Sequence, residues 1–175
     1  SAAPGVFRKL LRCDLPKMPQ LRHALSAGEK MPPRQHEQWH EKTGLRIYEA
    51  FGMSECSTFI SSSPTHPSDP TALGRAQTGR KIALLDEAGA PVEQGQIGTI
   101  AVHQSDPGLM LEYYGAEEAT KARFQGEWFL TGDLGREDDT GGIHYEGRGD
   151  DMMNAGGFRL SPIEVEQVFN SAEGI

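Results

Sequence analysis

The feature that most constrains the fold is a strand–helix–strand pattern over residues 21–50. Apolar and polar residues alternate over 21–25, which predicts a strand. Two adjacent prolines then suit the first turn of a helix over 33–43, which should stop at Gly44, and a second strand is predicted over 45–50. Two strands joined by a helix form a βαβ unit, which implies a parallel sheet with its ligand site at the carboxyl ends of the strands.

The pattern changes after the Ser- and Pro-rich loop over 61–71. Short strands separated by Gly-rich turns are predicted at 81–85, 98–102, 128–130 and 143–145, which is typical of a small antiparallel barrel. A helix is also predicted near the start, over 6–12, and another from Ser161 onward. The predicted fold class is therefore α/β: part of a parallel βαβ layer (1–72), then a small antiparallel β-barrel (73–149), then a hinge and the first elements of a C-terminal α+β domain (150–175).

Composition limits the partners of the chain. Its 175 residues carry a formal net charge of -8, which argues against a nucleic-acid surface but allows one nucleotide held by backbone N–H groups and a metal ion. Neither Cys13 nor Cys56 belongs to a Cys-x-x-Cys pair, no apolar run approaches the ~20 residues of a membrane span, and no signal-peptide core is present. We expect reduced thiols and a cytoplasmic location. Because the first residue is Ser1 and the last residues still have a helical pattern, we expect both ends to be cuts in a longer polypeptide.

The run Phe51-Gly52-Met53-Ser54-Glu55 lies at the end of the second predicted strand. An aromatic ring can stack on a base, a glycine lets another group approach the backbone, and a hydroxyl can contact a phosphate. Glu55 offers the hard oxygen ligand that Mg²⁺ prefers. Alone, this run is more typical of an ordinary turn.

Two later runs make the pattern more specific. Asp133, in Thr131-Gly132-Asp133, is placed at a tight turn after an aromatic strand and could accept hydrogen bonds from a ribose diol. Arg148, in Gly147-Arg148-Gly149-Asp150-Asp151, could reach ribose or phosphate. The alternatives are an Asx turn at Asp133 and a surface ion pair at Arg148.

In this order, the three runs resemble those of the adenylate-forming superfamily, which includes acyl-CoA synthetases, peptide-synthetase adenylation domains and firefly luciferase. The resemblance extends from Ser26 to the end of the chain. It implies an AMP-forming carboxylic acid:CoA ligase of carboxylic acid metabolism, which uses ATP, Mg²⁺ and CoA and acts on a small carboxylic acid. It also implies a set of nucleotide- and CoA-binding positions: Ala27, Gly28, Glu29, Phe51, Gly52, Met53, Ser54, Asp133, Arg148, Gly156 and Gly157.

The resemblance implies more specific roles for some of these positions. Residues 27–29 correspond to the backbone turn beside the adenine, and Phe51 corresponds to the stacking aromatic, where the family more often has Tyr. Ser54 replaces the usual Thr and keeps its hydroxyl, while Glu55 corresponds to the magnesium ligand and is one of two implied catalytic residues. Asp133 corresponds to the acceptor of the ribose diol, with Arg148 beside it.

The remaining roles concern the second half-reaction. Asp150 corresponds to the hinge about which a small C-terminal domain rotates. Gly156 and Gly157 resemble the glycines that let the pantetheine of CoA pass, and Arg159, the second implied catalytic residue, resembles the arginine that follows them near the phosphate.

The chain departs from the family in three ways. It contains neither the Ser/Thr/Gly-rich phosphate loop nor the C-terminal catalytic lysine, so we expect these 175 residues alone to be inactive and the parent polypeptide to supply the rest. Thr99 stands where a Glu is common, which we expect a barrel surface to tolerate. A non-catalytic nucleotide-binding fragment, or an adenylation domain that loads a carrier protein, therefore remains an alternative.

Two further patterns suggest metal sites unrelated to this resemblance. Residues 36–40 match His-Glu-x-x-His, which on a helix can bind zinc through His36 and His40, but their neighbours are typical of a solvated helix. The acidic run 137–139 lacks the spacing of a calcium loop and is more typical of a hairpin turn. We expect neither site to form.

Overall fold

The computed structural model describes residues 1–155, 158–160, 162, 165, 168 and 169. The helices with defined bounds are α1 (Pro4–Leu11), α2 (Pro33–Thr43) and α3 (Glu117–Lys121). The strands are β1 (Ala24–Ala27), β2 (Ile47–Met53), β3 (Ser57–Ser61), β4 (Ala72–Ala76), β5 (Ile82–Leu85), β6 (Ile97–His103), β7 (Phe124–Gln125), β8 (Trp128–Glu137), β9 (Ile143–Arg148), β10 (Met153–Ala155) and β11 (Phe158–Leu160).

The βαβ unit forms as predicted. Strands β1 and β2 are parallel neighbours, in register from Ala24 opposite Ile47 to Ala27 opposite Ala50. Helix α2 has the predicted bounds, and it stops because Gly44 adopts a left-handed conformation at φ 73° and its N–H closes the last turn. The first strand begins three residues later than its sequence pattern indicates.

Both long helices pack against this parallel pair. The rings of Phe7 in α1 and Trp39 in α2 meet edge to face with centroids 5.0 Å apart. Together with Ala24, Met31 and Ile47 they form a buried apolar cluster. This cluster packs both helices against the ends at which β1 and β2 begin, since Ala24 and Ile47 are the first residues of these strands.

Nine of the described strands form one open sheet in the order β1-β2-β3-β4-β9-β8-β6-β5, with β7 beside β8, while β10 and β11 form a separate two-stranded sheet. The α/β class is confirmed, but the prediction that the antiparallel strands close into a barrel is wrong. Strand β4 pairs with β3 on one side and β9 on the other, so the antiparallel strands join the parallel pair instead of closing on themselves. Gly74 permits this junction, since a Cβ there would lie 2.1 Å from the carbonyl carbon of Ser61.

The antiparallel part contains the predicted strands, of which β6, β8 and β9 are longer than predicted and β5 is one residue shorter. Strands β5 and β6 pair in register, and β8 and β9 are joined by the predicted turn over 138–142. Strands β3, β4 and β7 and helix α3 have no counterpart in the sequence pattern. A second apolar core, which includes Phe59, Ile60 and Ile100, lies beneath this part of the sheet, and the predicted site residues Phe51 and Met53 pack against it.

The last described residues follow the expected order of elements. Strands β10 and β11 form an antiparallel pair, and positions 162, 165, 168 and 169 are helical, as predicted for the segment after Ser161. The division at residues 72 and 149 remains a prediction. Within the described part of the chain, no helix is both long and apolar enough to span a bilayer.

Candidate functional site

The first run forms a tight hairpin between β2 and β3. A bulge falls between Phe51 and Gly52, and the turn occupies 54–56. A Cβ at Gly52 would lie 2.1 Å from the carbonyl oxygen of Ser57, so only glycine fits between the two backbones. Ser57 itself has a φ of 55°, which is uncommon for a residue other than glycine. The hairpin places Ser54 in solvent and leaves Glu55 half-buried.

Tyr113 holds the Glu55 carboxylate. Its phenolic hydroxyl donates a hydrogen bond to Oε1 of Glu55 at 2.8 Å, and the backbone N–H of Met110 donates to the Glu55 carbonyl oxygen at 2.6 Å. Burial, followed by this hydrogen bond, raises the pKa of Tyr113. Among the described residues, no basic side chain forms an ion pair with Glu55. A single carboxylate with no basic partner fits Mg²⁺, which proteins usually bind through one or two carboxylates together with substrate phosphates.

An ion pair below the hairpin fixes the backbone that follows Glu55. The Arg80 guanidinium donates to the carbonyl oxygens of Cys56 at 2.5 Å and Thr58 at 2.6 Å, and its Nε lies 2.9 Å from Oδ1 of Asp106. The Asp106 side chain is fully buried. Although burial opposes the charged form, hydrogen bonds from the N–H groups of Lys81 and Gly108 and from Arg80 lower the pKa of Asp106.

Cys56 lies in the apolar core at the base of the same hairpin. Burial raises its pKa to about 12, and the neighbouring Glu55 carboxylate adds a smaller contribution in the same direction. The sequence alone places a carboxylate, Glu55, beside Cys56, and a neighbouring negative charge raises the pKa of a thiol. Desolvation by burial is nevertheless the larger cause of the raised pKa. The thiol is therefore inert.

Asp133 lies inside β8 and not at a turn after it, so the predicted position is wrong. Strand β8 continues through Gly132, whose φ of 82° creates the local irregularity, and pairs Asp133 with Arg148 of β9. Asp133 is 7% exposed, and its Oδ1 accepts a hydrogen bond from the Tyr145 hydroxyl at 3.1 Å. Desolvation raises the pKa of Asp133, against the lowering effects of Tyr145 and Arg148.

Arg148 connects Asp133 with the predicted hinge. Its Nη1 lies 3.7 Å from Oδ1 of Asp133, and its Nε donates to Oδ1 of the exposed Asp150 at 3.1 Å. The Arg148 guanidinium also approaches Gly132, where a Cβ would lie 3.2 Å from Nη2 of Arg148 and 3.8 Å from Nη1 of Arg123. Thr99 lines the cleft beside these groups, and the expectation that a change is tolerated there remains a prediction.

Tyr145 brings the three runs together. Its ring lies 5.8 Å from the Phe51 ring, centroid to centroid, while its hydroxyl contacts Asp133, which faces Arg148. The sequence pattern places Tyr145 in a strand but indicates no function for it. The pattern also misses Tyr113, Arg80 and Asp106, since nothing in their local sequence indicates that they contact residues more than twenty positions away.

The predicted adenine-side turn follows β1. Ala27, Gly28 and Glu29 are exposed, and Ala27 is paired with Ala50, the residue before Phe51. Glu49, which is 5% exposed, holds the next residues in place: its carboxylate accepts hydrogen bonds from Nζ of Lys30 and the N–H of Met31, both at 3.0 Å. This turn and the first run therefore share one edge of the sheet.

In the described part of the chain, one residue from each of the alternative metal patterns contacts other protein groups. His36 faces Glu49, with Nε2 3.0 Å from Oε1, whereas His40 is exposed. Asp138 accepts hydrogen bonds from Thr140, Gly142 and His144, as a turn residue does. Among the residues that the structure describes, no group of three or more His, Cys, Asp and Glu side chains is placed to hold a metal ion.

Three predicted positions lie at the end of the described chain. Gly156 and Gly157 fall outside the described residues. Arg159 is described only by its backbone, which pairs with Asn154 in the β10–β11 hairpin.

Comparison with known proteins identifies the family. The profile of the AMP-binding enzyme family matches residues 1–114, which is more than half of the chain. The chain belongs to the AMP-binding enzyme family. This assignment agrees with the adenylate-forming resemblance of the three sequence runs.

Individual relatives of this AMP-binding enzyme chain are acyl-CoA synthetases and CoA ligases. The mouse protein acyl-coenzyme A synthetase ACSM1, mitochondrial (Mus musculus), is 35% identical over 171 residues, covering 94% of this chain and 30% of that protein. The chain thus spans about a third of the length of this curated relative.

Solved structures of CoA synthetases and related enzymes have the same fold as this chain. ATP-bound MatB from Rhodopseudomonas palustris matches with a TM-score of 0.91 and 31% identity, over 99% of this chain and 35% of that one. The O-succinylbenzoate coenzyme A synthetase MenE from Bacillus subtilis, in complex with ATP and magnesium ion, matches with a TM-score of 0.81 and 29% identity, over 98% of this chain and 35% of that one.

Proposed function

We propose that the protein carrying this chain is an AMP-forming carboxylic acid:CoA ligase. The observation that supports this proposal is that Tyr145 contacts both Phe51 and Asp133, and that Asp133 faces Arg148. An aromatic face, a buried carboxylate and a guanidinium are what a nucleoside monophosphate needs for base stacking, ribose recognition and phosphate contact.

Each group has a role in this proposal. Phe51 stacks on the adenine beside the exposed backbone turn of residues 27–29. Asp133 accepts hydrogen bonds from the ribose diol, and Tyr145 keeps its carboxylate in place. Ser54 contacts a phosphate. Glu55 holds Mg²⁺, which supplies charge neutralisation at the phosphates when it is bound.

The reaction has two steps. An oxygen of the substrate carboxylate attacks the α-phosphorus of ATP, forming a new O–P bond while pyrophosphate leaves with the electrons of the broken bond. The CoA sulfur then attacks the acyl carbon, a C–S bond forms, AMP leaves and the thiol proton is released. We propose that rotation at Asp150 separates the two steps, and that Gly156, Gly157 and Arg159 serve the second.

Two of the relatives named above, ACSM1 and MenE, carry the names of coenzyme A synthetases, which supports CoA and not a carrier protein as the acceptor. The cytoplasmic location stays a prediction, since the mouse relative is named as mitochondrial.

Pyrophosphate exchange tests the first step. The complete polypeptide containing this chain is incubated with ATP, Mg²⁺, labelled pyrophosphate and a panel of aliphatic and aromatic carboxylic acids. We expect acid-dependent label to appear in ATP with at least one acid, and the Asp133→Asn variant to lose that exchange. If no acid in the panel supports exchange, the proposed ligase activity is wrong.

A second assay addresses the acceptor. With the acid that supports exchange, added CoA should give a thioester detectable by mass spectrometry. Exchange without a CoA thioester would favour loading of a carrier protein.

A further inference from the structure

Glu55 is held at two points by one segment that lies more than fifty residues further along the chain. The N–H of Met110 donates to its backbone carbonyl oxygen at 2.6 Å, and the hydroxyl of Tyr113 donates to its Oε1 at 2.8 Å. A glutamate at a turn has several side-chain rotamers, and ordering it for a ligand costs conformational entropy. The two contacts restrict both the backbone and the carboxylate of Glu55 before any ligand binds.

The backbone of Tyr113 is itself anchored. Its backbone N–H donates to Oγ1 of Thr120 at 2.9 Å, and its carbonyl oxygen accepts from the N–H of Ala116 at 3.0 Å. Thr120 in turn donates to the carbonyl oxygen of Ala116 at 3.1 Å. Helix α3 therefore closes a small loop around Tyr113 and directs its ring toward the hairpin between β2 and β3.

The donor is a neutral hydroxyl and not a cation. A lysine or arginine at this distance would neutralise Glu55 and compete with a bound metal ion, whereas a phenol orients the carboxylate and leaves its negative charge in place. A carboxylate oxygen keeps further lone pairs after accepting one hydrogen bond, so Glu55 can still bind a cation. Metal-binding carboxylates are commonly held by such hydrogen-bonding partners.

We propose that Tyr113 is a positioning residue that orients the Glu55 carboxylate for a divalent cation bound together with nucleotide phosphates. This inference rests on the proposed function of Glu55. It assigns a role to a residue that lies outside the three sequence runs. The adjacent Tyr114 is fully exposed and provides a matched control of the same residue type.

The first experiment measures metal binding without turnover. Mn²⁺ is titrated into the complete polypeptide in the presence of α,β-methylene-ATP, and free Mn²⁺ is followed by electron paramagnetic resonance. We expect Tyr113→Phe to weaken Mn²⁺ binding by roughly tenfold, at the lower end of the effect of losing a hydrogen-bonding partner of a metal ligand. Tyr114→Phe should bind Mn²⁺ as the unmodified protein does.

A double-variant comparison shows whether Tyr113 acts through Glu55. In a Glu55→Gln background, the added Tyr113→Phe change should produce no further loss of Mn²⁺ affinity. If Tyr113→Phe folds poorly, Thr120→Val takes its place, because it releases the Tyr113 backbone without touching Glu55 and should also weaken Mn²⁺ binding.

Three outcomes would overturn the inference. They are unchanged Mn²⁺ affinity in folded Tyr113→Phe, an equal loss in the Glu55→Gln background, and no nucleotide-dependent Mn²⁺ binding by the unmodified protein. If Tyr113→Phe shows the expected loss of Mn²⁺ affinity but the unmodified protein shows no pyrophosphate exchange with any acid, the proposed ligase function is refuted and the role of Tyr113 stands.

Discussion

The hydroxyl of Tyr145 donates a hydrogen bond across 3.1 Å to Oδ1 of Asp133, a carboxylate that the strands bury almost completely. Burial and the nearby Asp133 charge raise the pKa of Tyr145, so the phenol stays protonated and remains a donor. Since the Tyr145 ring also neighbours Phe51, one side chain connects the proposed base and ribose contacts. Tyr145 thus holds in place part of the proposed nucleotide site.

Replacing Asp133 with Asn should stabilise the protein while weakening nucleotide binding. The amide keeps an acceptor for Tyr145 but carries no charge to desolvate, so we expect the free energy of unfolding at pH 7 to rise by about 0.5–2 kcal/mol. AMP affinity should fall at least about tenfold because a charged acceptor is lost. Urea denaturation and calorimetric AMP titration measure the two effects.

The pH dependence of that difference has a defined sign. Because the pKa of Asp133 is raised in the folded state, its charge lowers stability at pH values above the folded pKa, and the cost disappears as the pH falls through it. The extra free energy of unfolding of Asp133→Asn, relative to the unmodified protein, should therefore become smaller as the pH falls. A stability difference that becomes larger as the pH falls would show that the Asp133 charge does not lower the stability of the fold.

Gly52→Ala should be strongly destabilising. The new methyl group would meet the Ser57 carbonyl oxygen at 2.1 Å, and both atoms are attached to the backbone of the same hairpin. We expect a loss of about 3 kcal/mol or more in the free energy of unfolding, the upper range for an overpacked site. Gly5→Ala in α1 is the control, since its Cβ has no neighbour within 4 Å, and it should be neutral or slightly stabilising.

Arg80→Lys should loosen the backbone after Glu55. A lysine ammonium cannot reach the Asp106 carboxylate and the carbonyl oxygens of Cys56 and Thr58 together, so we expect a loss of about 1–3 kcal/mol. Amide hydrogen exchange over residues 54–58 should also become faster. The same change at the exposed Arg34 should alter neither measurement, and equal effects at both positions would refute the role of Arg80.

Asp138→Asn should reveal that the stability of the turn between β8 and β9 depends on pH. Although desolvation opposes it, hydrogen bonds from Thr140, His144 and Gly142 hold the pKa of Asp138 far below its ordinary value of 3.8. Its charge therefore contributes stability that is fully present above about pH 4 and is lost as the pH falls toward the folded pKa.

We expect Asp138→Asn to lower the free energy of unfolding by about 1–2 kcal/mol at pH 6, with a smaller difference at pH 3. Urea denaturation at both pH values measures this. Asp139→Asn, at the exposed neighbouring position, should show little difference at either pH.

Cysteine labelling tests the burial of the hairpin. At pH 8 the Cys56 thiol, with a pKa raised to about 12, should resist iodoacetamide, whereas the exposed Cys13 should react. Mass spectrometry should find one label on the native chain and two in denaturant. Rapid labelling of native Cys56 would show that the core beneath the hairpin is open.

Local signals predict the local elements well. Prolines at the start and Gly44 at the end bound α2, and the three runs by themselves indicate the proposed nucleotide-site residues. The predicted position of Asp133 is wrong because a Thr-Gly-Asp run resembles a turn, while in the fold the antiparallel pairing with β9 continues the strand through it. Strands β3 and β4 escape prediction because the bulge and the Gly junctions interrupt their apolar alternation.

By itself, the amino-acid sequence determined the βαβ unit, the order of the chemical runs and the family to which they belong, since these depend on spacing and residue type along the chain. Only the tertiary structure decided that the sheet stays open and that Tyr113, Tyr145, Arg80 and Asp106 support the site. These contacts join residues far apart in sequence. Their pairing is decided by strand register and by burial, which no local pattern records.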